Sequence, residues 1–193
     1  MLSRFQQNKL LQLFAKLDRT GDGFIEYVDF IACYEVLRAA KGWEPDHPDS
    51  HRLLRTSREF WDQLCGTIDL NGDGRISSQE WVTFFNGVHD RVRGQELPEW
   101  FPLTAKRFYG WLDLDGNGEV TQEEYHFYLT SIGAEAADGA FEALAGEGGT
   151  LSEESFLRAF RELLFNQNPQ DPANYLLMGN FPYVRPAEVE LRS

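Results

Sequence analysis

The stretches DLNGDGRISSQE at residues 69–80 and DLDGNGEVTQEE at residues 113–124 decide how this chain is read. Each opens on an aspartate, Asp69 and Asp113, and places an oxygen-bearing side chain at its third and fifth positions: Asn71 and Asp73, then Asp115 and Asn117. Each has glycine at position 6, Gly74 and Gly118, and glutamate at position 12, Glu80 and Glu124. A hard divalent cation such as calcium needs this pattern, because it takes six to eight oxygen ligands in a flexible shell. Positions 1, 3 and 5 aim side-chain oxygens at the ion, and the sharp turn at position 6 favours a residue without a Cβ. Position 7 supplies only its carbonyl, so Arg75 and Glu119 are both tolerated there. Glutamate at position 12 is long enough to bind with both oxygens.

A third loop, DRTGDGFIEYVD at residues 18–29, follows the same plan with two departures. Asp18, Asp22 and Gly23 hold positions 1, 5 and 6, Phe24 supplies the carbonyl of position 7, and Glu26 adds a carboxylate at position 9. Thr20 at position 3 offers a hydroxyl, and Asp29 at position 12 is one methylene shorter than glutamate. A shorter carboxylate tends to bind through one oxygen, which lowers the ligand count toward the six that magnesium demands. Calcium is therefore expected at three sites, with magnesium an alternative at the first. A fourth repeat, FEALAGEGGTLSEESF at residues 141–156, keeps the turn glycine and an apolar Leu151. Its ligand positions hold Leu144 or Ala145, then Gly146, Gly148 and Ser155, so no metal is expected there.

Helical spacing surrounds every loop. Leu10, Phe14 and Leu17 precede the first, and Phe30, Tyr34 and Leu37 follow it; the other three units repeat this i, i+3, i+4 apolar pattern. These are EF-hand units, helix–loop–helix, and the fold class is all-α: four units in two pairs forming a compact globule. The residue at position 8 of one loop is expected to face its counterpart in the partner loop, Ile25 against Ile76 and Val120 against Leu151. The first pair spans residues 1–95 and the second residues 96–193, the latter with a C-terminal tail. Pro45 and Pro48 are expected to keep the connector at residues 40–50 out of helix, and the short segment at residues 94–98 allows no long tether between halves. Ser77-x-x-Glu80 and Thr121-x-x-Glu124 read as capping boxes, so the same glutamates serve helix and metal.

Composition sets bounds on partners. Of 193 residues, 42% are hydrophobic and 14% aromatic, enough for a substantial core. A net charge of −13 argues against nucleic acid or an anionic membrane as partner. The first residues lack the apolar run of a signal peptide, and no segment is apolar enough to span a bilayer. Cys33 and Cys65 each lie in an apolar helical pattern, which fits reduced thiols in a cytoplasmic protein better than a disulfide. There is no paired nucleophile and base, and no glycine-rich phosphate motif. No enzyme activity, catalytic residue or organic cofactor is expected, and the chain is read as a monomer whose ligands are calcium ions.

Four segments together carry a family resemblance: FQQNKLLQLF at residues 5–14, Leu97-Pro98-Glu99-Trp100, the third loop with its helices, and LLFNQNPQDPANYLLMGNF at residues 163–181. They resemble the sarcoplasmic calcium-binding proteins and calexcitins, over nearly the whole chain. The resemblance implies a compact four-EF-hand body with calcium in the first three hands, an empty fourth, and a role as a cytosolic calcium buffer or signal protein. Two alternatives stand beside it: a sensor that opens a groove to a target protein, and a carrier of a small apolar ligand. Related photoproteins use a histidine in the first helix and another near the C-terminus. Here the histidines are His47, His51, His89 and His126, so light emission is not expected. In the tail, Pro169, Pro172, Pro182 and Pro186 forbid a long helix, while Tyr175, Leu176, Leu177, Met178, Phe181 and Tyr183 form an apolar cluster. The tail is expected to fold back over the groove between the halves.

Overall fold

Every loop is bracketed by helices because apolar residues recur at helical spacing on both sides of it. In the computed structural model, which describes residues 1–92 and 100–180, the first hand is α1 (Arg4–Leu17), β1 (Phe24–Ile25) and α2 (Tyr27–Ala40). The second is α3 (Pro48–Ile68), β2 (Ile76–Ser77) and α4 (Ser78–Val92). The third is α5 (Trp100–Leu112), β3 (Glu119–Val120) and α6 (Gln122–Ser131). The fourth is α7 (Ala140–Ala145), a 3-10 turn at Gly146–Gly148, β4 (Leu151–Ser152) and α8 (Glu153–Phe165). The expected connection at residues 94–98, most of Leu97-Pro98-Glu99-Trp100, and Phe181, Tyr183, Pro182 and Pro186 lie outside the described residues.

Local chemistry sets several helix ends. Ser3 and Gln6 form a reciprocal cap on α1, with Gln6 N 3.3 Å from Ser3 Oγ and Ser3 N 2.9 Å from Gln6 Oε1. The connector between α2 and α3 behaves differently from expectation in one respect. Pro48 does not keep the chain out of helix; it is the first residue of α3, with His47 as the cap. The first helical position has no N–H obligation, and proline's fixed φ suits it.

The strands join the hands two by two. β1 and β2 pair antiparallel with Ile25 opposite Ile76, and β3 and β4 with Val120 opposite Leu151, the register that position 8 implied. All four of these side chains are fully buried.

The helix pair α3–α5 forms a spine across the molecule. Contacts run in opposite chain directions along it. Trp111 Nε1 donates to Ser57 Oγ at 2.9 Å, Phe60 meets Phe108 at 4.3 Å between ring centroids, and Gln63 Nε2 donates to Thr104 Oγ1 at 2.8 Å. Phe30 of α2 packs on Phe60 and Trp111, so aromatic rings from the first three hands share one core. Cys33 is buried and Cys65 half-buried, and both are free thiols.

The tail crosses α8 and α7, passing through a 3-10 turn at Pro172–Tyr175. Leu176, Leu177 and Met178 are fully buried. Tyr125 and Tyr128 of α6 donate their hydroxyls to the carbonyls of Tyr175 and Leu177 at 2.7 and 3.1 Å. The described tail therefore packs on the third and fourth hands and is also bonded by Lys9 of α1, so it touches both halves. Gly179 makes its close approach feasible: at φ +62°, a Cβ there would lie 2.2 Å from the Glu135 carbonyl oxygen.

Candidate metal centres

The three acidic loops share one hydrogen-bond scaffold. Each position-1 aspartate accepts from the amides of positions 4 and 6. Asp18 takes Gly21 and Gly23 at 2.7 and 2.9 Å, Asp69 takes Gly72 and Gly74 at 2.7 and 2.9 Å, and Asp113 takes Gly116 and Gly118 at 2.8 and 3.1 Å. The position-5 side chain accepts from the amide of position 7: Asp22 from Phe24 at 3.0 Å, Asp73 from Arg75 at 3.1 Å and Asn117 from Glu119 at 2.7 Å. Asn71 and Asp115 at position 3 accept from Asp73 and Asn117 at 2.8 and 3.0 Å. Thr20 instead points its hydroxyl at Asp18 Oδ1, 3.4 Å away.

Position 12 closes each loop. Glu80 Oε1 accepts from Leu70 N and Asn71 N, and its Oε2 from Ser77 N at 2.9 Å. Glu124 repeats this with Leu114 N, Asp115 N and Thr121 N. Both capping boxes are present, with Ser77 Oγ and Thr121 Oγ1 accepting from the glutamate amides at 3.2 and 3.3 Å. Asp29, though shorter, spans the same gap: Oδ1 takes Thr20 N at 2.9 Å and Oδ2 takes Glu26 N at 2.7 Å. The missing methylene is absorbed by contacting only the third amide of the loop and by fuller burial, with Asp29 1% exposed. Glu26 itself precedes α2 as its cap residue.

The carboxylates come closest in the third hand. Ligand atoms of Asp113, Asp115 and Glu124 lie within 4.8 Å of one another, a spacing and an all-oxygen donor set that suit a hard divalent cation. Asp113 is buried, and desolvation raises its pKa despite amides that oppose the shift. Asp69, at the equivalent position of the second loop, goes the other way, held down mainly by the Gly74 amide. Glu80 is likewise lowered, through the Ser77 amide and hydroxyl. Phe24 and Glu119, at position 7, lie on the strands β1 and β3, and Arg75 immediately precedes β2. Their side chains point to other tasks: the Arg75 guanidinium sits over the Phe24 ring at 3.9 Å, and Glu119 accepts from Thr150 Oγ1 at 2.7 Å.

The fourth hand keeps the frame without this scaffold. Ser155, where a position-12 carboxylate would stand, is engaged by Arg158 Nη2 at 3.0 Å and by Ser152. Sequence reasoning overlooked the position-4 glycines. Gly21, Gly72 and Gly116 have φ of +73°, +75° and +73° and present the amides to position 1. The signal was available, since all three loops carry glycine there.

A fold of paired helix–loop–helix units, with these loops, defines an EF-hand protein that binds calcium. The family described as EF hand matches residues 66–85, the second loop with the ends of its helices. Sarcoplasmic calcium-binding proteins I, III, and IV of Branchiostoma lanceolatum are 24% identical over 186 residues, covering 94% of this chain and all of theirs. Calerythrin of Saccharopolyspora erythraea is 21% identical over 170 residues, covering 86% of this chain and 96% of its own. The structure of a coelenterazine-binding protein from Renilla muelleri, in its calcium-loaded apo form, superposes with a TM-score of 0.71. It is 19% identical, with 93% of this chain and all of that one covered. Within the EF-hand class, the chain is similar over 94% of its length to sarcoplasmic calcium-binding proteins, in sequence and in fold. No helix among the described residues is long and apolar enough to cross a membrane.

Proposed function

We propose that this chain is a cytoplasmic, monomeric calcium buffer or signal protein built from two EF-hand halves, residues 1–95 and 96–193. Three metal sites serve it, formed by loops 18–29, 69–80 and 113–124. Asp18, Thr20, Asp22, Phe24, Glu26 and Asp29 make the first site. Asp69, Asn71, Asp73, Arg75 and Glu80 make the second, and Asp113, Asp115, Asn117, Glu119 and Glu124 the third. Phe24, Arg75 and Glu119 contribute backbone carbonyls. The observation that carries this reading is the common scaffold: three loops hold their acidic oxygens in the same arrangement, and the fourth, with no carboxylate at positions 1, 3, 5 or 12, does not. Calcium when bound supplies a doubly positive centre for oxygens that otherwise lean on loop amides. The residues' own part is to hold those oxygens converging and to keep the exit helices capped.

The buried tail favours a buffer over a sensor, since Leu176, Leu177 and Met178 fill apolar space that an opening hand would offer to a target helix. The carrier reading draws on a cavity lined by Trp81, Phe84, Phe85, Trp100, Phe108 and Phe160. At ≈ 20 Å³ it has room for about one water, far below the ~300 Å³ of pockets that take organic ligands. Calorimetric titration with calcium, with and without millimolar magnesium, tests the proposal. Three calcium ions per chain are expected, with magnesium competing best at one. Four ions, or none, overturns it.

A further inference from the structure

Arg52 lies on α3, in the second hand, yet its guanidinium is spent on the third. Nη1 donates to the Asp113 carbonyl at 3.3 Å, and Nη2 to the Leu114 carbonyl. These are the first two residues of the third loop and the end of α5, where carbonyls have no partner within the helix and a cation is favourable. Asp49, one turn earlier on α3, steadies the guanidinium at 3.5 Å. The fit is close: a Cβ on Gly116 would lie 3.4 Å from Arg52 Cζ. The side chain is about a quarter exposed, so protein covers most of it.

The antiparallel course of α3 and α5 explains why this matters. The far end of α3 runs directly into Asp69, the first residue of the second loop. A 21-residue helix is roughly 30 Å long, so α3 is a rod with one end in the second loop and the other under the third. Its middle is locked to α5 by Trp111 on Ser57, Phe108 on Phe60 and Thr104 on Gln63. Any reorientation of α3 when the second loop closes on an ion must be taken up where Arg52 grips the third. Nothing equivalent reaches the first two residues of the first or second loop through a side chain of another hand among the contacts described.

We propose that Arg52 is a positioning residue for the third loop and the contact through which the second hand is coupled to it. The inference rests on the assignment of loops 69–80 and 113–124 as metal sites. Arg52 fixes the backbone that carries Asp113 and Asp115, and transmits the state of the second loop as a change in third-loop affinity. Coupling of this kind is reciprocal, and typical couplings between sites change affinity by roughly five-fold or more.

The test follows the Gly118 amide resonance of the full chain during calcium titration, because that amide donates to Asp113 and reports the third loop alone. It is run on the wild type, Arg52→Met and Arg52→Lys, each with and without Glu80→Gln; Arg52→Lys retains charge without the two-pronged donor. Glu80→Gln is expected to shift third-loop half-saturation at least five-fold in the wild type, under two-fold in Arg52→Met, and by an intermediate amount in Arg52→Lys. An equal shift in all three backgrounds, or no shift in the wild type, overturns the coupling. A shift abolished in Arg52→Lys as fully as in Arg52→Met shows that the fork geometry carries it and supports the proposal. Glu124→Gln is the separate control: a Gly118 response that survives it overturns the loop assignment itself and removes the basis of the inference.

Discussion

Lys9 Nζ, on the first helix, donates to Asn174 Oδ1 at 3.0 Å in the segment beyond the last helix, and both residues are 1% exposed. The same ammonium reaches the Asn166 carbonyl at 3.2 Å and the face of the Phe5 ring at 5.0 Å. A buried lysine without a carboxylate in contact is costly to keep charged. Desolvation accordingly lowers its pKa from 10.5 to about 8, against the smaller opposing fields of Asp171 and Glu162.

The pH dependence of stability follows. Below pH 8, Lys9 is protonated in folded and unfolded chain alike. Between about 8 and 10.5 the unfolded chain holds the proton and the folded chain has released it, so this group adds stability as pH rises. The full span is worth up to about 3 kcal/mol. Lys9→Met is expected to remove this rise, so denaturant midpoints of wild type and variant should diverge in the wild type's favour from pH 8 to 10. Parallel profiles would contradict a neutralised Lys9.

Glu80→Gln and Glu124→Gln are each expected to lower calcium stoichiometry from three to two by calorimetry. An amide cannot chelate through two anionic oxygens. It also cannot accept on its nitrogen, so Glu80→Gln should cost the calcium-free protein roughly 1–2 kcal/mol through the lost contacts to Ser77 or to Leu70 and Asn71. Unchanged stoichiometry in either variant removes that loop from the assignment.

Asp29→Glu is expected to strengthen calcium relative to magnesium in the first loop by several-fold. Glu80 and Glu124 make the same closure with one more methylene, so the loop frame accepts the longer side chain. Competition titrations with millimolar magnesium measure it. Equal competition at all three sites, unaltered by the variant, would show that position 12 does not set selectivity.

The loops were legible in the sequence because the chemistry of each position is local: an oxygen, a turn or a carbonyl can be named from one residue. The pairing of Ile25 with Ile76 and Val120 with Leu151 was legible for the same reason, since position 8 carries its meaning within the motif. Pro48 was misjudged because proline discourages the helix before it and favours the one it begins; only the chain course after His47 decides between them. Arg52, Lys9 and the α6 tyrosines left no local trace at all. The partners that tie them to other hands or to the tail lie 49 or more residues away in sequence, and nothing in the spacing of charges announces them. Contacts that bind one repeat to another are set by how whole helices pack, which periodicity alone does not reveal.

The tail is the feature that separates a closed buffer from an opening sensor, and Gly179 gives a way to lift it without deleting it. A Cβ at this position meets the Glu135 carbonyl oxygen, and a left-handed backbone costs a Cβ-bearing residue a further ~1–2 kcal/mol. Gly179→Ala is therefore expected to loosen the segment that carries Leu176, Leu177 and Met178, lowering the melting temperature and raising the fluorescence of an added hydrophobic dye. Truncation after Phe165 should do so more strongly, because three buried apolar side chains worth about 2 kcal/mol each are removed from the core. Both measurements belong in saturating calcium, where a sensor would already expose its groove. If neither variant binds more dye than the intact chain, the tail is not what covers the apolar surface. The third and fourth hands would then be free to open toward a target, and the sensor reading would replace the buffer.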